Sequence, residues 1–176
     1  MDKISTLWQG ANYQDNLLQS YRNFHLTTQS IFIAIGVGLS VSIVSTSEIN
    51  KQILLYGLLF VISSVGIYLL CKMKKLILAR GQDVDYYHDQ IIILEKKLSK
   101  EDRVLTAFKV YQKFNRQNVN TDDFFETFEL TDKVVNELTE KGKGHTRRFL
   151  DHNLFIWFQL IWLTFHIICL ISILYI

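Results

Sequence analysis

Four side chains with polar or polarisable groups lie at helical spacing in the last apolar block of the sequence. They are Gln159, Trp162, His166 and Cys169. Residues three and four apart share one face of a helix, so a helix here aligns all four side chains. An imidazole at membrane depth is either a relay for protons or ions, or a neutral ring bonded to a neighbouring helix. The neutral ring is favoured, because the apolar blocks contain no Asp, Glu, Lys or Arg.

A second candidate is a group of carboxylates that alternates with phenylalanines: Asp122, Asp123, Glu126 and Glu129. Such a group could bind a cation or act in general acid–base catalysis. Acidic residues in the first turn of a helix also interact favourably with the helix dipole, and that interpretation is favoured. The sequence has no Gly-rich phosphate loop, zinc-ligand spacing or dinucleotide fingerprint. We therefore expect no metal and no cofactor.

A third candidate is the pair Arg147 and His152. Its spacing resembles the short signature of HEPN ribonucleases, whose Arg and His drive metal-independent attack of an RNA 2′-hydroxyl at a dimer interface. Arg147 and Arg148 have a simpler role as basic residues flanking an apolar block. The net charge of +2 is also too small to indicate nucleic acid as a partner. The expectation is a protein that is not an enzyme, with a HEPN-like membrane-anchored ribonuclease as the alternative.

The elements that must position these residues are three apolar blocks. Ile53–Cys71 is 19 residues without a charge, and Leu154–Ile176 is 23 residues without an Asp, Glu, Lys or Arg. At about 1.5 Å per residue, each can cross a hydrocarbon core of roughly 30 Å. The first block, Ile31–Val44, reaches that length when it is extended back to Leu26. A cleaved signal peptide is the competing interpretation of that block. With no proline in the chain, we predict an all-α integral membrane protein.

The basic residues predict the topology, since Lys and Arg concentrate on the cytoplasmic side. Of the 19 basic residues, 16 lie between positions 72 and 148. The predicted organisation is a cytoplasmic N-terminal segment (1–25), a transmembrane hairpin (26–71), a helical cytoplasmic domain (72–152) and a hydrophobic transmembrane helix (153–176). The alternative is that the last helix packs inside a cytoplasmic ring.

The cytoplasmic segment contains amphipathic helices. The first, which could continue the second membrane helix, has one apolar face: Val84, Tyr87, Ile91, Leu94 and Leu98. Ser99 and Asp102 resemble a capping box that opens the next helix, whose apolar stripe is Val104, Phe108 and Tyr111. A third helix has the inner face Phe124, Phe125, Phe128, Val135 and Leu138. Such a face is either the core of its own domain or a contact between subunits. Because so small a domain is marginal alone, the first face is predicted to contact neighbouring subunits.

Small residues at four-residue intervals mark the first apolar block: Ala34, Gly38 and Ser42. Small residues let helix backbones approach closely in lipid, so these residues, with Gln159 and His166, are predicted helix-packing sites in the membrane. The spans argue against a wide aqueous lumen, although an oligomeric pore remains an alternative.

Four features occur together: an early hairpin after YRNFHLTTQSIFIAIGVGLS, the segment ARGQDVDYYHDQIIILEKKL, a helical cytoplasmic part and a late apolar segment. In this combination the chain resembles the RipA family of small bacterial cytoplasmic-membrane proteins. The resemblance implies the bacterial inner membrane, an octameric homo-oligomer, and a role in envelope adaptation and virulence through growth inside host cells. A fainter resemblance, through Arg147 and His152, is to a CRISPR-associated octameric membrane protein with a HEPN-like motif.

Overall fold

The described part of the chain is built from helices. The computed structural model describes residues 3–99, 102–113, 133, 137 and 149–174. The elements are α1 (Lys3–Ser45), α2 (Ile49–Glu95), α3 (Val104–Lys113), a π-helical turn (Phe149–Asn153) and α4 (Leu154–Leu174). Within these ranges there is no strand, so the prediction of an all-α fold is confirmed.

Helix α2 continues without a break from the second apolar block into the predicted cytoplasmic stripe, over 47 residues. The absence of proline explains the length, because only proline removes a helical hydrogen bond and also clashes with the preceding turn. Helices α1 and α2 and the segment Phe149–Ile171 are each long and apolar enough to cross a membrane. The structure thus confirms three candidate membrane helices.

The described residues belong to two compact units. The first, here called the apolar unit, consists of Ser20–Ile77 and Phe149–Ile176. The second, called the charged unit, consists of Met1–Gln19 and Leu78–Arg148.

In the apolar unit, each of three helical segments buries positions at heptad-like spacing. On α1 the buried residues are Arg22, His25, Gln29, Gly36 and Ile43, and on α2 they are Leu59, Ser63, Gly66, Leu70 and Ile77. The π-turn and α4 bury Asp151, Phe155, Phe158, Trp162, Phe165 and Cys169. A repeat of 3.5 residues keeps one face of each helix turned to its partners, as in a left-handed bundle.

Two glycines of the apolar unit lie under aromatic rings of α4. A Cβ added to Gly36 would lie 2.8 Å from the Phe165 ring, and one added to Gly66 would lie 2.5 Å from the Trp162 ring. Both distances are shorter than a carbon–carbon contact allows. Glycine at these positions therefore lets the bulky rings of α4 seat directly on the backbones of α1 and α2.

The charged unit has a small core formed by α1, α2 and α3. Ala11, Ile91, Ile92 and Leu105 are buried together, and Leu7, Trp8 and Tyr87 pack against them. The Tyr87 ring lies on Gly10, where an added Cβ would be 2.4 Å from the ring.

Candidate functional site

The principal candidate site is a set of polar side chains inside the apolar unit. At one end of this set, Arg22 of α1 and Asp151 of the π-turn form an ion pair. Arg22 Nε donates to Asp151 Oδ1 at 2.9 Å, and Nη2 donates to Oδ1 and Oδ2 at 2.6 and 2.7 Å. The side chains are only 6% and 8% exposed. Each charge is therefore neutralised by the other within the bundle, as a buried charge requires.

One turn further along α1, the imidazole of His25 is buried against aromatic rings. It stacks on Phe155 with ring centroids 4.6 Å apart and meets the edge of Phe158 at 5.6 Å. The residue is 2% exposed, and among the described residues neither ring nitrogen has a hydrogen-bond partner. His25 is thus packed against aromatic rings, with two polar atoms that no described side chain or backbone group satisfies.

The next polar residue of α1, Gln29, links the other two helices. Its Oε1 accepts a hydrogen bond from Trp162 Nε1 at 2.7 Å, and its Nε2 donates to the Gly66 carbonyl at 3.3 Å. Gln29 and Trp162 are both fully buried. The missing side chain of Gly66 gives room for the indole ring in this arrangement.

Beyond Trp162, α4 contacts α2 through two weaker polar pairs. His166 Nδ1 lies 3.2 Å from the Trp162 carbonyl, and its Nε2 lies 3.3 Å from Ser64 Oγ. A carbonyl only accepts, so a bond to Trp162 needs a proton on Nδ1, while Ser64 Oγ also donates to the Phe60 carbonyl at 2.8 Å. The Cys169 thiol donates to the Tyr56 carbonyl at 3.8 Å. Both side chains of α4 are thus bonded within the apolar unit.

The other predicted membrane-packing residues lie elsewhere. Gln159 is exposed, because the inward face of α4 passes through its neighbour Phe158. Ala34, Gly38 and Ser42 are also exposed, and nothing lies within 4 Å of a Cβ built on Gly38. Among the described residues of one chain, Gly38 therefore has no helix packed closely against it.

The predicted cytoplasmic stripe lies partly in the core of the charged unit. Val84 and Ile91 are 1% and 0% exposed, so their surfaces are already covered within one chain. Tyr87, Leu94 and Leu98 are half-buried. The stripe is thus mainly an intramolecular contact, and only its half-buried members have surface left for a neighbour.

Helix α3 packs on a face different from its predicted stripe. Val104, Phe108 and Tyr111 are 66%, 50% and 37% exposed, whereas the buried face consists of Leu105, Thr106, Lys109 and Val110. The Glu95 carboxylate explains this orientation. It accepts hydrogen bonds from the amides of Leu105 and Thr106, both at 2.8 Å.

The predicted capping box is replaced by two side-chain contacts between consecutive helices. Ser99 Oγ donates to the Asp102 carboxylate at 2.8 Å. The first amides of α3, which have no partner within the helix, donate to Glu95 instead. In return, Arg103 donates to the carbonyls of Leu98 and Lys96 beyond the end of α2. The Glu95 carboxylate thus caps the start of α3, and the Arg103 guanidinium binds the backbone of the link that follows α2.

Of the remaining candidate site residues, the structure describes His152. His152 is exposed, next to the ion-paired Asp151. Arg147, the four carboxylates that begin at Asp122 and the third predicted helix with its five apolar residues lie outside the described residues. Within the described part of the chain, no group of three or more His, Cys, Asp or Glu side chains could hold a metal ion.

Sequence reasoning missed the polar residues of α1 that form the interior of the bundle. Arg22, His25 and Gln29 follow one another at 3-4 spacing, which was the available signal. Arg22 and His25 precede the apolar block and Gln29 lies at the start of its extended form, so apolar length alone does not mark them as interior residues. Nothing in one sequence pairs them with side chains of α4.

No protein-family model, curated protein or solved structure matches the chain. The class of protein therefore rests on the structure itself. The described chain is all-helical, with three apolar helices of membrane-spanning length whose interior polar groups pair mainly with one another.

Proposed function

We propose that this protein is a non-enzymatic homo-oligomer that acts by assembly in a bacterial inner membrane. One observation carries the self-assembly: α3 has an apolar stripe, Val104, Phe108 and Tyr111, that the described part of its own chain leaves uncovered. By its resemblance to the RipA family, the assembly is an octamer that serves envelope adaptation and intracellular growth.

The stripe supports subunit contact because the described part of α3 is amphipathic, with polar residues such as Lys109 and Gln112 between its apolar ones, unlike the continuous apolar stretch of a membrane span. The Phe108 and Tyr111 rings stack with centroids 6.5 Å apart and present one apolar surface. Burying such half-exposed side chains in water contributes about 1 kcal/mol each, and symmetry repeats that contribution at every interface. Tyr87, Leu94 and Leu98 would extend the contact.

The membrane part of the proposal rests on the three apolar helices and on the basic residues between the second and third. We place the N-terminus and residues 72–152 in the cytoplasm and the C-terminus outside. Reporter fusions at positions 48, 110 and 176 should therefore read outside, inside and outside. A C-terminus that reads inside would refute the three-span topology and favour the packing of α4 inside a cytoplasmic ring.

The exposed stripe Ala34, Gly38 and Ser42 supports helix contacts between subunits, because its small side chains allow a close approach. We expect these contacts to be weaker than those made in water, since apolar helices gain no hydrophobic driving force by meeting in lipid.

The decisive measurement is the mass of the intact complex released from the membrane into mild detergent. We expect an oligomer for the natural chain and a smaller species for the variant that combines Phe108→Ser with Tyr111→Ser. The matched control is Tyr13→Ser, which removes an aromatic ring that is 63% exposed from α1. A monomeric natural chain, or a variant with unchanged mass, would refute assembly through α3.

A HEPN-like ribonuclease and an oligomeric pore are the competing functions. Metal-independent RNA cleavage by the purified protein, lost in His152→Ala, would establish the first. Ion flux through reconstituted liposomes that changes with Ser42→Ala or His166→Ala would establish the second. We expect neither.

A further inference from the structure

Three lysines follow the charge-free stretch of α2. Lys72, Lys74 and Lys75 are all exposed. Within the described residues, none of the three forms an ion pair with an acidic side chain. Lys51, at the other end of the same stretch, differs because its ammonium lies 2.8 Å from Glu48.

The helix directs two of these lysines to one side. Residues three and four apart share a helix face, so Tyr68, Lys72 and Lys75 align, while Lys74 points about 100° away from Lys75. This face lies opposite the buried residues Leu70 and Ile77. It therefore points away from the interior of the apolar unit.

Tyr68 and Lys72 are already arranged as a pair. The Lys72 ammonium lies 5.5 Å from the centre of the Tyr68 ring, which is a cation–π distance. Tyr68 is 60% exposed, so both groups are accessible from outside. Tyrosine and lysine with these properties are typical of the level where lipid headgroups meet the hydrocarbon core.

The same face continues along α2 with exposed aliphatic residues. Val61 and Val65 are 57% and 42% exposed and follow the line of Tyr68 into the charge-free stretch. A ligand on this face meets positive charge at one end and an apolar surface along the rest. A phospholipid with a net negative headgroup has this chemistry, whereas a free phosphate ion has no apolar group that could contact the rest of the face.

We propose that Tyr68, Lys72 and Lys75 bind the headgroup of an anionic phospholipid, whose acyl chains lie along Val61 and Val65. The proposal rests on α2 spanning the membrane, but not on self-assembly. The lysines supply charge-assisted bonds to the phosphodiester, and Tyr68 holds Lys72 in place and adds a hydroxyl at the same level. Lys74 is outside the site.

The test is retention of lipid by the full chain in native mass spectrometry. The purified protein is offered phosphatidylglycerol and phosphatidylcholine with identical acyl chains. We expect the natural chain to retain phosphatidylglycerol preferentially. Each of Lys72→Gln and Lys75→Gln should lower that preference about fivefold, and Lys72→Arg should keep it.

Lys74→Gln is the matched control, because it removes the same charge at the same depth on another side of the helix. Its preference should fall less than about twofold. Equal effects of Lys74→Gln and Lys75→Gln would show a general surface potential instead of a site, and would overturn the proposal. Equal retention of the two lipids by the natural chain would overturn it without any variant.

Two further outcomes identify other occupants of the surface. Displacement of phosphatidylglycerol by an equal concentration of inorganic phosphate would show a simple anion site and contradict a lipid site. A Lys72→Gln/Lys75→Gln chain that loses mass as a complex but keeps its lipid preference would show contact with a second copy. Either result overturns the lipid assignment, and neither decides whether α3 mediates assembly.

Discussion

The ion pair between Arg22 and Asp151 offers the sharpest test of the bundle. The two residues are 129 positions apart, and their side chains are 6% and 8% exposed. Replacing Asp151 by Asn keeps the shape of the side chain but leaves the Arg22 guanidinium without a counter-charge. Removing one partner of a buried pair typically costs about 3–5 kcal/mol, which is a large share of a stability of about 5–15 kcal/mol.

Removing both charges should cost much less. In the double variant Arg22→Met/Asp151→Leu, no buried charge is left unpaired, and the three hydrogen bonds are replaced by apolar contact. Such replacements are often neutral or stabilising. We therefore expect the double variant to be more stable than either Arg22→Met or Asp151→Leu, with a coupling of about 3 kcal/mol.

The assay is reversible unfolding of the reconstituted protein in bicelles, followed for the natural chain, both single variants and the double variant. Lys51→Gln is the control, since its pair with Glu48 is about two-thirds exposed and should contribute less than about 1 kcal/mol. Single variants that each cost less than 1 kcal/mol, or additive costs in the double variant, would refute the packing of the π-turn against α1.

Three further predictions concern packing and capping. Gly66→Ala should destabilise the fold by about 1–3 kcal/mol because its Cβ meets the Trp162 ring, whereas Gly57→Ala, with nothing within 4 Å, should be neutral or slightly stabilising in the same unfolding assay. His25→Phe should raise the free energy of unfolding by up to about 1 kcal/mol, because it keeps the stacked ring and removes two unpartnered polar atoms; a loss of stability would show that His25 has a partner. Glu95→Ala should expose the first amides of α3 to rapid hydrogen exchange and Glu95→Gln only in part, and unchanged exchange in both would contradict the cap.

The helices were predictable from the sequence, because apolar length and the absence of proline are local properties. The continuation of α2 into the polar segment was predictable for the same reason. The orientation of α3 was not, since it has an apolar residue at Leu105 and Val110 as well as at Phe108 and Tyr111. Glu95 lies nine positions before the helix begins, and its carboxylate favours one of these faces by binding the first amides of α3.

The interior of the apolar unit was the least predictable part. The spacing of Arg22, His25 and Gln29 shows that they share a helix face, but it does not show which side chains they meet. Gln29 bonds to Trp162, which is 133 positions away in the sequence. The buried ion pair likewise joins two distant residues, so it can be identified only once the fold shows that they are neighbours. His166 lies within an apolar block, where a polar group needs a nearby partner, but the sequence does not indicate that Ser64 is its neighbour.

The order of synthesis gives the polar interior a further consequence. The chain is made from the N-terminus, so Arg22 and Gln29 of α1 are made long before Asp151 and Trp162 exist. At about 5–20 residues per second, the wait for a partner lasts roughly 7–27 s. During that interval the Arg22 charge and the Gln29 Oε1 lack the partners that Asp151 and Trp162 later supply. A ribosome-bound chain that stops before Phe149 should therefore leave α1 open to water-soluble labelling at position 22, and release of the full chain should close it.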